Sequence, residues 1–121
     1  MKSLILNSLL ILFVGSQAFA QKAKTIKLDQ VPGEFTKTEL TLKAGKEYIF
    51  EVTNDGIDHA VGFVVAPKGK TEQENHIPEA YLTQTVEDGQ SAQSKVVTLE
   101  KGEYVYFCPL NPTPLYSITV E

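Results

Sequence analysis

The chain has 121 residues, with eleven Lys, no Arg, fifteen acidic residues and a net charge of −4. It holds one Cys, two His, no Trp and a single Met at position 1. One Cys excludes an internal disulfide and any multi-Cys zinc or iron–sulfur site. An acidic chain without Arg has no basic stripe for nucleic acid, and the length suits one domain built on one core.

The N-terminus predicts an export signal over residues 1–20. Lys2 supplies a positive start, Leu4 to Val14 is apolar apart from Asn7 and Ser8, and Ala18-Phe19-Ala20 has the small-x-small form of a cleavage site. The apolar run falls short of the roughly 20 residues a spanning helix needs, so no stable membrane span is expected after cleavage. Residues 21–121 then form the folded domain. They keep ten Lys against fifteen acidic residues, a net charge of −5, and no Met. The expected location is periplasmic or secreted, which is an oxidising setting. A lone Cys there needs protection or a use.

The domain reads as short strands separated by turn signals. Lys24 to Val31 is a strand ended by Pro32-Gly33, and Glu39 to Leu42 is a second, closed by Ala44-Gly45. Glu47 to Thr53 alternates, with Tyr48, Phe50 and Val52 on one face. Asn54-Asp55-Gly56 is a tight turn, and His59 to Val65 is the next strand. Thr71 to Glu74 begins a short helix, Pro78 to Tyr81 is an irregular turn, and Glu87-Asp88-Gly89 turns the chain again. Ser94 to Leu99 is β-branched and strand-like. Glu103 to Cys108 places Tyr104, Tyr106 and Cys108 on one face. A loop with Pro109, Pro112 and Pro114 follows, and Leu115 to Val120 closes the domain. About seven strands in some hundred residues argue for an all-β, Greek-key antiparallel β-sandwich. Leu99-x-x-Gly102-x-Tyr104 fits a tyrosine corner.

Two segments carry candidate chemistry. In Asn54-Asp55-Gly56-Ile57-Asp58-His59-Ala60-Val61-Gly62-Phe63 a His stands at a turn-to-strand junction. In Gly102-Glu103-Tyr104-Val105-Tyr106-Phe107-Cys108-Pro109-Leu110-Asn111 an aromatic strand delivers the only Cys to a Pro-rich loop. Asn111-Pro112-Thr113 is not a glycosylation acceptor, because Pro occupies its middle position. No Gly-x-Ser-x-Gly or His-Glu-x-x-His motif is present. A Cys108–His59 nucleophile–base couple is conceivable, but nothing suggests a substrate cleft or oxyanion donors, and the chain is not expected to be an enzyme.

From about Phe35 to Val120 the chain resembles the cupredoxins, the plastocyanin and azurin group of blue-copper proteins. The order Gly-x-Tyr-x-aromatic-aromatic-Cys over 102–108 matches that pattern without a gap, and so does the approach from Asn54 through His59 to Phe63. The resemblance implies copper held by His59 and Cys108, with electron transfer to a redox partner protein. It also implies a second His three residues after the Cys and a Met further on. Here Asn111 and Tyr116 occupy those places, and the domain contains no Met. Asn111 through its carbonyl oxygen, Tyr116, or His76 in a polar loop would supply the remaining ligands. The alternative is a metal-free binding module for a partner or another ion that keeps the fold and has lost the copper site.

Overall fold

A computed structural model describes residues 22–121, so the export signal expected over 1–20 lies outside the described residues. Among the described residues nine strands form two sheets. They are β1 (Lys24–Val31), β2 (Glu34–Phe35), β3 (Glu39–Leu42), β4 (Glu47–Asn54), β5 (Val64–Pro67), β6 (Ser91–Gln93), β7 (Val97–Thr98), β8 (Gly102–Phe107) and β9 (Tyr116–Val120). One sheet runs β2-β1-β4-β6, with β7 also on β4, and the other runs β3-β9-β8-β5. Among the described residues no helix is long and apolar enough to cross a membrane.

The strands follow from period-2 patterning. On β1, Ile26, Leu28 and Gln30 face inward, and on β4, Tyr48, Phe50, Val52 and Asn54 do. Two polar residues, Gln30 and Asn54, therefore occupy fully buried positions at the same ends of adjacent strands. The apolar remainder forms one core around Phe35, Phe50, Phe63 and Tyr106. Phe35 meets Tyr106 edge-on at 5.2 Å, and Phe50 lies 5.1 Å from Phe63. Burying a ring of this size contributes about 1.5–3 kcal/mol, and each aromatic pair adds about 0.5–1.5 kcal/mol. Burial pushes the Tyr106 phenol up to about 12, with Tyr116 and Glu39 adding to the shift.

The β-sandwich expected from the sequence is present, with differences in detail. Both sheets are mixed: β1 pairs parallel with β4, and β3 pairs parallel with β9. Strand spacing in a sequence carries no pairing direction, so parallel neighbours are invisible to it. The strand expected from His59 begins only at Val64. Before it the Asn54 side chain holds a turn, its Nδ2 donating to the carbonyls of Ile57 and His59 and its Oδ1 accepting from the Ile57 N–H. The strand expected over Ser94 to Leu99 is reduced to β7, and β6 forms just before it, where no strand was expected. Ser94 Oγ accepts from the Phe50 N–H and donates to the Lys95 carbonyl, which interrupts the ladder between them. The segment after Thr71 forms two 3₁₀ turns, Gln73–Asn75 and Pro78–Ala80. The tyrosine corner is present, with Tyr104 Oη donating to the Glu100 carbonyl at 3.0 Å.

Candidate metal centre

The pairing of β5 with β8 sets Val64 opposite Phe107. The residues just before β5 therefore meet the residues just after β8 at one end of the sandwich. Cys108 lies there, free and buried. Its N–H donates to Thr113 Oγ1 at 3.2 Å, closing the Pro-rich loop on itself. Its sulfur accepts two backbone N–H groups, from Asn111 at 3.2 Å and from Gly62 at 3.4 Å. Gly62 is three residues past His59, so the His segment is hydrogen-bonded to the candidate thiolate. A Cβ on Gly62 would stand 4.0 Å from both Leu110 and Pro109, an ordinary packing distance, so the Cys loop lies close over the β5 approach.

His59 itself is exposed. Its backbone is fixed by Asn54, and its Nδ1 lies 3.1 Å from the Ala60 carbonyl oxygen. With the proton on Nδ1, Nε2 is left as the nitrogen with a free lone pair.

The other three candidates are committed elsewhere. Asn111 is buried, at 5 % exposure. Its Oδ1 accepts from the Gly33 N–H at 2.9 Å, and its Nδ2 donates to Gln30 Oε1 at 3.0 Å and to the Val31 carbonyl at 3.1 Å. Gly33 can present its N–H in this way because it takes φ +76° in the β1–β2 turn. Tyr116 sits on β9, its Oη accepting from the Phe35 N–H at 3.3 Å and its ring 5.4 Å from Tyr106. His76 uses both nitrogens: Nδ1 meets Tyr81 Oη at 2.7 Å and Nε2 meets the Thr71 carbonyl at 2.9 Å. That ring is a strut between the two sides of its loop, with Phe107 packed 5.9 Å away.

The donor chemistry thus divides. Among the described residues no group of three or more His, Cys, Asp and Glu could hold a metal, so the trigonal two-imidazole, one-thiolate set is not met. What remains is a buried sulfur that accepts two backbone N–H groups, and an exposed imidazole three residues before Gly62 in the chain. Sequence reasoning missed Gln30, Asn54, Gly62 and Thr113. Gln30 and Asn54 had a visible signal, a polar residue in register with the apolar face of an alternating strand. Gly62 and Thr113 act through the backbone and a loop hydroxyl and had none.

Residues 4–120 match the model of the cupredoxin-like domain family. No curated protein matches the chain. Among solved structures it is similar to auracyanin B, at 17% identity and TM-score 0.68, with 84% of this chain and 91% of that chain covered. It is similar to auracyanin A, a blue copper protein from the green thermophilic photosynthetic bacterium Chloroflexus aurantiacus, at 16% identity and TM-score 0.68, covering 83% of this chain and 100% of that one. A reduced amicyanin variant is similar at 16% identity and TM-score 0.53, with 86% and 88% covered. At such identities the structural likeness establishes the fold, and the family match extends over nearly the whole sequence. The two packed sheets, the Cys loop closed over their end and this match together place the chain in the cupredoxin-like domain family.

Proposed function

We propose that the chain is an exported cupredoxin-like domain that binds one copper ion through the Cys108 thiolate and the His59 imidazole and exchanges electrons with a redox partner protein. The observation that carries this reading is the Gly62 N–H on Cys108 Sγ, which ties the His59 segment to the sulfur. Thiolate and imidazole are donors that suit copper, which when bound supplies a one-electron Cu(II)/Cu(I) couple. The chain's own residues do the rest. The N–H groups of Gly62 and Asn111 hold the sulfur and would tune a metal-bound thiolate. Buried Val61 and Phe63 help keep water from the Cys side. Pro109, Pro112 and Pro114 fix φ in the Cys loop, so little reorganisation is needed there. With Asn111 in place of the second imidazole, colour and potential depart from those of ordinary blue copper.

One observation favours a second reading, a metal-free binding module for a partner or another ion. The Asn111 amide is spent entirely inside the fold. A single experiment separates the two. The chain from Gln21 is titrated with Cu(II) and with Cu(I) while bound copper and visible absorption are recorded. The copper reading expects one ion per chain and a thiolate charge-transfer band in the Cu(II) form that is absent in Cys108→Ser. No bound copper, with Cys108 alkylated equally fast in its presence and absence, establishes the metal-free module.

A further inference from the structure

Gln30 is the largest polar side chain in the core. It is fully buried on β1, on the same inward face as the apolar Ile26 and Leu28. Its two polar atoms go to two different segments. Oε1 accepts from Asn111 Nδ2 at 3.0 Å, and Nε2 donates to the Gly62 carbonyl at 3.2 Å. Those are the two residues whose backbone N–H groups reach Cys108 Sγ. A buried amide bridging two segments is costly unless both ends are satisfied, and both are. A thiol sulfur is a weak acceptor that does not by itself hold two N–H groups in place. The Asn111 side chain is also bonded to Gly33 and Val31, but Gln30 contacts both residues.

We infer that Gln30 is a positioning residue for Cys108, clamping Gly62 and Asn111 so that their N–H groups stay aimed at the sulfur. It touches neither Cys108 nor His59, and acts from β1 through the Asn111 side chain and the Gly62 carbonyl. The inference concerns the metal-free protein, so it stands or falls separately from the copper reading.

The test is amide hydrogen exchange on metal-free protein, comparing wild type with Gln30→Met, which keeps length and removes both hydrogen bonds. Protection of the Gly62 and Asn111 amides is expected to fall by about tenfold or more beyond any change at the Ile118 amide in the β8–β9 ladder. Cys108 alkylation at fixed pH is expected to accelerate by a similar factor. Ser94→Ala, which removes a buried hydroxyl elsewhere in the sandwich, is expected to leave the Gly62-to-Ile118 protection ratio unchanged. Equal loss at all amides in Gln30→Met, or the same selective loss in Ser94→Ala, overturns the inference. If Gln30→Met does not fold, wild type decides. The Gln30 side-chain amide protons and the Gly62 and Asn111 amides are expected to exchange with one shared opening free energy. Distinct opening free energies for the three overturn it.

Discussion

The two halves of the candidate centre are built in opposite ways. At Cys108 both the backbone and the side chain are held. The sulfur is buried and takes two N–H donors, the loop is closed by Thr113, and Asn111 anchors it to the β1–β2 turn. At His59 only the backbone is held, by Asn54, and the ring lies exposed against its own chain. The thiolate side is thus preorganised at the expense of a buried polar network, and the imidazole side is left to orient on binding. Stability should therefore depend on the Cys side, and ligand capture should depend on both.

Mutations can break that contrast. The largest effect is expected from Asn111→Ala, which strands Gln30 Oε1 inside the fold and unpairs the Gly33 N–H and the Val31 carbonyl. A loss of about 2–4 kcal/mol in denaturant unfolding is expected. Asn54→Ala removes the clamp on the His59 turn, which also reaches the Val86 carbonyl. It should cost about 2–3 kcal/mol by the same measurement. If Asn54→Ala cost nothing, the His59 backbone would not be held and the contrast would deepen.

Tyr106→Phe probes the strand that delivers Cys108. Its hydroxyl donates to the Lys37 carbonyl, and losing that bond should cost about 1 kcal/mol near neutral pH. The folded phenol titrates at about 12, above its ordinary value of 10.0. The unfolded chain therefore releases this proton first as pH rises. The associated stability is complete below about pH 10 and is lost between there and about pH 12. Wild type should lose stability across that window more steeply than Tyr106→Phe. The smallest effect is expected at His59→Ala, within about 0.5 kcal/mol of wild type because the ring is exposed, while copper capture in the same variant should fall sharply.

The fold was largely legible in the sequence because its signals are local. Alternation set β1 and β3 at their observed limits, and the Leu99-x-x-Gly102-x-Tyr104 spacing located the tyrosine corner. The two parallel pairings and the placement of β6 before Ser94 were not legible, since both depend on which strand lies alongside. At the site, His59 and Cys108 were suggested by their motifs, whereas the position of Asn111 read as a ligand position. Its real partner, Gln30, lies 81 residues away. No periodicity links residues that far apart, so a buried amide pair looks the same in sequence as two unrelated polar residues. His76 was misleading in a similar way. A polar loop predicts an exposed ring, yet the ring is half-buried with both nitrogens bonded inside that loop.

X-ray absorption at the copper edge of the loaded protein tests the central claim most directly. One sulfur and one imidazole nitrogen in the first coordination sphere are expected, with the sulfur lost in Cys108→Ser and the imidazole lost in His59→Ala. A sphere without sulfur, or one with two imidazoles that requires His76 to leave Tyr81 and Thr71, would contradict it.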